Sequence, residues 1–277
     1  MARLLADTTT RLDALNGEGR AEAETLLGHV LNTDRTGLFM LETSDLDADA
    51  HARFEALVQR RLRGEPVAYI TGTRGFWTLD LAVSPATLIP RPETEQLVEL
   101  ALEYGPHGPA HVADLGTGSG AIALALASER PHWRIVATDV SQAALDVAAG
   151  NRDAHHLTTV TLVHGDWFEA LPEGTRFDLM ISNPPYIEEA DPHLDQGDLP
   201  AEPRSALAAG PDGLDAIRRI AASARQWLLP GGWLMLEHGY DQGAAVRTIL
   251  TDAGLVDAQT HPDLAARDRV TAAKAPR

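Results

Sequence analysis

From about residue 110 the chain alternates short apolar runs with helical stretches, and that alternation leaves little choice of fold. His111 to Leu115, Arg134 to Thr138, Thr159 to His164 and Phe177 to Ser182 read as strands, with helices at Ala121 to Glu129 and Gln142 to Asn151 between them. Strands joined through helices need crossover connections, which set them parallel in one sheet. The expected architecture is α/β, a doubly wound and mostly parallel sheet. A helix (Leu214 to Leu228), the turn Pro230-Gly231-Gly232, a strand (Trp233 to His238) and another helix (Gly243 to Ala253) continue it. The tail from Asp263 to Lys274 is expected to add a last edge strand.

The first part of the chain has a different rhythm. Residues 1–74 read as a small bundle of helices, with Ala21, Thr25/Leu26 and Val30 on one helical face and Phe54, Leu57, Val58 and Leu62 on another. Asp45-Leu46-Asp47-Ala48-Asp49 reads as an acidic helix start. Gly75 to Val83 alternates apolar and polar residues, as a strand pair does, and Pro92 suits the first turn of a helix carrying Leu97, Val98, Leu100 and Leu102. The expected division is a helical domain over 1–74, a strand-pair linker over 75–90 and a catalytic domain over 91–277. A Pro- and Asp-rich insert, Glu188 to Gly213, interrupts the alternation and is a candidate lid.

Val112-Ala113-Asp114-Leu115-Gly116-Thr117-Gly118-Ser119-Gly120 is a strand running into a glycine-rich turn and a helix. Glycines there let the backbone pass close to a ligand. The spacing departs from the dinucleotide Gly-x-Gly-x-x-Gly pattern. Asp114 adds a carboxylate where an ammonium or sulfonium is welcome and a pyrophosphate is not. Asp139 ends the next strand, where a carboxylate can accept from both ribose hydroxyls; it reads equally as a helix N-cap, as does Ser141. Asp166 can accept an exocyclic amine, and Trp167 offers a flat apolar wall, although taken alone it is as readily core. Three ligand-type residues thus stand at three successive strand ends.

Asn183-Pro184-Pro185-Tyr186 follows the fourth strand. A side-chain amide, two prolines that supply carbonyl oxygens but no N–H donors, and an aromatic ring make a clamp for a flat, conjugated –NH2 group. The lone pair of such a group is delocalised, so both N–H bonds must be held and the nitrogen aimed at an electrophile. A sulfonium methyl is the natural one. Pro-Pro can also simply stop a strand.

Composition narrows the partners. The 277-residue chain has no cysteine, which excludes disulfides, thiolate nucleophiles and cysteine zinc sites, and its 11 histidines lack zinc-site spacing, so no metal is expected. The net charge of −17 is opposite to the basic footprint of a duplex-binding protein. No apolar run reaches the roughly 18 residues of a membrane span, and the start lacks a secretory core. A cytoplasmic protein, monomeric and without direct nucleic-acid or membrane contact, is expected.

With these residues placed, the chain resembles the class I S-adenosylmethionine-dependent methyltransferases, and more narrowly the protein-(glutamine-N5) methyltransferases that modify peptide chain release factors. The likeness rests on Gly64 to Gly72 with Phe76-Trp77, Ile89 to Glu95, Asp114 to Gly120, Asp166 to Phe168, Asn183 to Ile187, Glu202 to Leu207 and Leu236 to Gly239. It implies a seven-stranded sheet and S-adenosylmethionine as cofactor. By the same resemblance Gly116, Thr117, Gly118, Ser119 and Gly120 surround the methionine part, Asp139 holds the ribose, Trp167 packs on adenine, and Asn183 also borders the cofactor. Asn183 and the Pro184 carbonyl bind the substrate amide with Pro185 beside them and Tyr186 stacked on its plane, and the helical domain helps dock the release factor. Glu237-His238 is expected to be structural.

Related chemistries share the clamp. A glutamine methyltransferase acting on a ribosomal protein differs only in its helical domain and flanking motifs. An adenine-N6 methyltransferase acting on nucleic acid needs base flipping and a target-recognition domain, for which about 90 residues after Tyr186 leave no room once the sheet is complete. A non-catalytic cofactor-binding module leaves the clamp without a purpose, and an NAD-dependent oxidoreductase is disfavoured by the glycine spacing.

Overall fold

The computed structural model describes residues 2–40 and 46–277. The chain divides into two compact units, Met1–Thr73 with Pro192–Ala201, and Arg74–Asp191 with Glu202–Arg277.

The first unit holds α1 (Ala2–Asn16), α2 (Gly19–Leu31), α3 (Arg35–Met40), α4 (Ala48–Leu62) and α5 (Val67–Thr71). Asp45, read as part of a helix start, lies outside the described residues; Asp47 caps α4, its carboxylate accepting the Ala50 N–H at 2.7 Å. Leu12, Leu26, Leu27, Phe54 and Val58 form a buried core. The stripe expected on α2 is rotated: Ala21 and Thr25 are exposed, whereas Glu22, Ala23, Leu26 and Leu27 are buried. A carboxylate sits in that face because Arg61, itself 2% exposed, pairs with Glu22 at 2.8 Å and with Asp198 at 2.6 Å. Hydrophobic spacing cannot anticipate a buried charge whose partner is distant in sequence.

In the second unit β1 (Thr73–Phe76) and β2 (Leu79–Ala82) form a two-stranded sheet. A short 3-10 turn, Pro92–Thr94, leads into α6 (Glu95–Tyr104). There follow β3 (His111–Leu115), α7 (Ala121–Glu129), β4 (Arg134–Asp139), α8 (Gln142–Ala154), β5 (Val160–His164), β6 (Phe177–Ser182), α9 (Asp215–Trp227), β7 (Leu228–Glu237), α10 (Gly243–Asp252), β8 (Val256–Pro262) and β9 (Asp268–Lys274). The seven-stranded sheet runs β5-β4-β3-β6-β7-β9-β8, parallel except for the antiparallel pairing of β9 with β7 and β8.

Side chains alternate across this sheet. Val112, Ile135, Leu179, Ile181 and Met235 join one core with Leu97, Val98, Ile122 and Leu126 of α6 and α7. Ala113, Leu115, Met180, Leu234 and Leu236 join the other with Ile217, Ile220, Val246 and Leu250 of α9 and α10. Both faces are covered, which explains the nearly continuous apolar runs of the parallel strands. Asn151 of α8 ties β2 to the glycine loop: its Oδ1 accepts from Ala82 N–H at 2.7 Å, and its Nδ2 donates to Ala82 O at 3.0 Å and Ser119 O at 2.9 Å.

Two expectations for the C-terminal part are corrected. The tail strand is interior, since β9 enters between β7 and β8 and leaves β8, a strand not read from the sequence, at the edge. Antiparallel return lets β9 complete the ladder of β7, whose Leu234 pairs with Ala273 and Leu236 with Thr271. Pro230-Gly231-Gly232 is an excursion within β7, where the register jumps from the Leu228 pair to the Trp233 pair. The insert after the clamp contains three 3-10 turns, Pro192–Asp195, Leu199–Ala201 and Arg204–Ala206.

Removing Arg61 strands the Glu22 carboxylate in the core of the helical unit. Arg61→Ala should therefore destabilise that unit by about 3–5 kcal/mol, read by denaturant unfolding; a loss below about 1 kcal/mol would show that the pair contributes little.

Candidate active site

The chain order reverses direction across the sheet at β3: β4 and β5 build outward on one side, β6 and β7 on the other. Ligand clefts in open α/β sheets form outside the carboxyl ends of the strands at such a switch point. Each of β3, β4, β5 and β6 delivers one of the segments singled out in the sequence to that edge.

The loop after β3 turns sharply. Gly116, Gly118 and Gly120 take φ of +75°, +57° and +86°, a region that L side chains rarely adopt. A Cβ on Gly116 would lie 3.0 Å from Cζ3 of Trp167, so the indole packs directly over a backbone that carries no side chain. Gly116 and Thr117 both donate their N–H to Thr138 O at 2.9 Å, holding the loop against the end of β4. Gly120 packs against Leu124 and Ala148. Gly116, Thr117, Gly118 and Ser119 line the cleft; Gly120 and Asp114 lie beneath them.

Asp114 is fully buried. Its Oδ2 accepts the Thr117 hydroxyl at 2.6 Å, while Oδ1 has no hydrogen-bond partner among the described residues. Burial raises its pKa from 3.8 to about 7. Asp139 borders the cleft and accepts Gly118 N–H at 2.8 Å and Ser141 N–H at 2.9 Å. It is not the cap of α8: Ser141 is, its hydroxyl accepting Ala144 N–H at 3.2 Å. Asp166 lines the cleft but is also paired with Arg219 at 2.7 Å. Trp167 lines it too, with a strained φ of +49°.

Asn183 and Pro185 face the same cleft, whereas Pro184 is buried. Asn183 Nδ2 donates to the Thr94 hydroxyl at 3.1 Å, and the Tyr186 hydroxyl donates to Glu237 Oε1 at 3.1 Å. Gln242 Nε2 fixes the Tyr186 backbone by donating to its carbonyl at 3.0 Å. Glu237 is 1% exposed, and burial raises its pKa from 4.5 to about 7. Burial and the adjacent Glu237 also push Tyr186 up, so its hydroxyl stays protonated. His238 is occupied at both ring nitrogens, by Gly239 O at 2.8 Å and by the Thr271 hydroxyl at 2.8 Å, and burial lowers its pKa.

Thr94 and Glu237 were not picked out as site residues. Both lie inside segments that carry the family resemblance, Ile89 to Glu95 and Leu236 to Gly239, but nothing local indicates that Thr94 bonds Asn183 or that Glu237 bonds Tyr186. Glu202 is a further case: its carboxylate accepts Ile89 N–H at 2.9 Å and pairs with Arg91, bracing the chain that borders the cleft.

A seven-stranded sheet in this order, with a glycine loop after its first central strand and acidic residues at the neighbouring strand ends, defines a class I methyltransferase. Solved structures agree on the fold. A methyltransferase from Pyrococcus furiosus superposes with a TM-score of 0.56 at 18% identity, over 79% of this chain and 98% of that one. A T. thermophilus 16S rRNA methyltransferase in complex with AdoMet and guanosine gives 0.56 at 23% identity, over 74% and 50% of the two chains. Residues 3–72 match the PrmC N-terminal domain and residues 97–198 the Methyltransferase small domain. The release factor glutamine methyltransferase of Xylella fastidiosa (strain Temecula1 / ATCC 700964) is 58% identical over 99% of this chain and 97% of its own length. Those of Vibrio cholerae and Coxiella burnetii are 50% and 46% identical, covering 90% and 95% of this chain and 87% and 95% of theirs. The chain belongs to the release factor glutamine methyltransferase family.

Its cofactor is S-adenosylmethionine, and the cleft suits that molecule. Carboxylates can accept from hydroxyls and an amine, an indole offers a face for a purine, and the buried Asp114 Oδ1 lacks a hydrogen-bond partner. Around Gly118 a Cβ would meet nothing within 4 Å, so the loop backbone is open to a ligand.

A raised carboxyl pKa means that the folded protein binds a proton the unfolded chain has released, so Glu237 lowers stability as pH rises from about 4.5 through 7. Glu237→Gln removes this dependence. The Tm difference, variant minus wild type, should be more positive at pH 8 than at pH 5 in thermal melts; a difference that is flat or runs the other way would contradict a buried, proton-binding Glu237.

Proposed function

We propose that the enzyme methylates the side-chain amide nitrogen of the glutamine in the Gly-Gly-Gln motif of peptide chain release factors, giving N5-methylglutamine. The observation that carries this reading is the position of Asn183-Pro184-Pro185-Tyr186 at the carboxyl end of β6, beside the glycine-loop cleft, in a chain 58% identical to a release factor glutamine methyltransferase. When bound, S-adenosylmethionine supplies a sulfonium methyl as the electrophile.

The residues of the chain supply position. Asn183 Oδ1 and the Pro184 carbonyl accept the two amide hydrogens of the substrate. With both N–H bonds held, the nitrogen lone pair is directed toward the cleft, and the loss of amide resonance on pyramidalisation is partly offset by stronger hydrogen bonds. Tyr186, held neutral by its environment, lies against the amide plane. Gly116 to Gly120, Asp139, Asp166 and Trp167 hold the cofactor. No general base need precede the attack, because the amide nitrogen becomes strongly acidic only once it is methylated, and its surplus proton then leaves to water.

Labelled-cofactor methylation of purified, unmodified release factor, followed by mass mapping, tests the substrate. The label should appear on the Gly-Gly-Gln glutamine; label elsewhere would redirect the assignment. Asn183→Ala should lower kcat by about a hundredfold or more, and near-normal turnover would remove the clamp.

We also infer that the helical unit, whose residues 3–72 match the PrmC N-terminal domain, takes part in docking the release factor. Hydrogen exchange across 3–72 should slow when unmodified release factor is added. Unchanged exchange there, with substrate saturating, would leave the unit as a brace only.

A further inference from the structure

Resting on the release-factor reading above, we propose that the tip of the β8–β9 hairpin, with Leu264 at its point and Tyr240 on the neighbouring turn, is a docking surface that grips the release factor beside the loop carrying the target glutamine. A glutamine side chain is short, so a protein that delivers one to the clamp must rest its own surface on the rim of the same sheet edge. Both turns stand on that rim. β7 ends there at Glu237, and β9, which runs antiparallel to it, begins there, with His238 N–H donating to Arg269 O at 2.9 Å. The turn that carries Tyr240 is tied to the clamp, because Gln242 Nε2 donates to Tyr186 O at 3.0 Å. Arg267 Cζ lies 6.0 Å from the centre of the Tyr240 ring and joins that turn to the hairpin tip.

Leu264 is fully exposed and Tyr240 is 64% exposed. A lone apolar side chain on a surface is ordinary. What sets Leu264 apart is how firmly the chain holds it out. Asp263 Oδ1 accepts the N–H of Ala265 at 2.9 Å and of Arg267 at 3.0 Å, while Oδ2 pairs with Arg269 at 3.2 Å. Asp263 N–H donates to Arg267 O and Ala266 N–H to Asp263 O, both at 2.8 Å. Ala266 is left with a φ of +59°, a conformation unfavourable for any residue but glycine. A turn built so tightly around a side chain that gains no burial offers a preformed apolar contact, and little ordering is left to be done when a partner arrives.

Charge identifies the occupant. Leu264 and Ala265 form one side of a shallow cleft whose other side holds Pro92, Gln96 and the exposed carboxylates Glu93 and Glu99. The Pro92–Thr94 turn serves this cleft through Pro92 and Glu93, and the cofactor cleft through Thr94, so the two are continuous. A second copy of the chain would set this acidic border against another acidic surface, since the net charge is −17. An apolar recess bordered by Lys and Arg fits instead. Release factors work on the ribosome, whose RNA phosphates favour basic surface on the proteins that bind it.

The experiment compares kcat, KM for unmodified release factor and the Kd for S-adenosylmethionine in full-length Leu264→Ser, Leu264→Met, Tyr240→Ala and Glu99→Lys. Neither Leu264 nor Tyr240 lines the cofactor cleft. Leu264→Ser should raise KM about tenfold and Tyr240→Ala about fivefold. Their kcat and cofactor Kd should stay within about twofold of wild type, as when binding is lost equally from the ground and transition states. Leu264→Met keeps an apolar side chain and should hold KM within about twofold. Glu99→Lys should raise KM about threefold at low ionic strength and less at high. A KM within twofold of wild type in Leu264→Ser, Leu264→Met as impaired as Leu264→Ser, or an unchanged KM in Glu99→Lys overturns the proposal. So does sedimentation equilibrium that finds a wild-type dimer made monomeric by Leu264→Ser with KM unaltered, which would assign the surface to a second copy. In each of these cases wild-type methylation of the Gly-Gly-Gln glutamine leaves the proposed function standing; its absence would remove both.

Discussion

Parallel pairing of β3 with β4 on one side and β6 on the other is the constraint on which the site depends. A strand paired in parallel on both edges sends its neighbours' carboxyl ends to the same side of the sheet, and reversal of chain order at β3 opens a cleft there. Register completes the work: Leu115 lies level with Thr138, and Asp114 with Ile181. The glycine loop therefore begins beside Asp139, and Asn183 emerges close by after Ser182, whose hydroxyl donates to Leu115 O at 2.6 Å. Residues separated by dozens of positions in the chain are neighbours because the ladder admits no slip without turning every core side chain to the wrong face.

The chemistry of this edge is one of acceptors and backbone rather than of acids and bases. Asp139 holds the loop through Gly118 N–H and keeps lone pairs for a ligand. The prolines of the clamp offer carbonyls without competing donors. The two carboxyls that burial shifts most usefully, Asp114 and Glu237, lie behind the cleft rather than in it, one under the glycine loop and one under Tyr186. Shifted carboxyls commonly mark proton-transfer residues. Here their partners are the hydroxyls of Thr117 and Tyr186, which makes them fixed points for orienting other groups.

The segments that line the cleft were legible in the sequence because each carries a local signature. Glycines in a left-handed backbone, a carboxylate ending a strand and an amide followed by two prolines are read without knowledge of what lies opposite. The strands and helices around them were legible too, since both faces of a parallel sheet are covered and the strands are apolar throughout. Three features were not. The face of α2 was misjudged because Glu22 is made buriable by Arg61, a partner 39 positions away. The tail strand was placed at the edge because nothing in a strand's own sequence tells whether it borders one neighbour or two. Thr94 was not read as a site residue and Glu237 was read only as structural, because the bonds that tie them to Asn183 and Tyr186 join positions far apart in the chain.

By itself the sequence determined the fold class, the positions of the glycine loop and of Asn183-Pro184-Pro185-Tyr186, and through its resemblances the family, because local backbone demands and side-chain chemistry are written residue by residue. The tertiary structure decided the order of β8 and β9, the pairing that admits a charge into the helical core, and the buried network behind Asn183. Each of these depends on which group faces which across the fold. Only folding brings Thr94 to the amide of Asn183 and Glu237 to the hydroxyl of Tyr186.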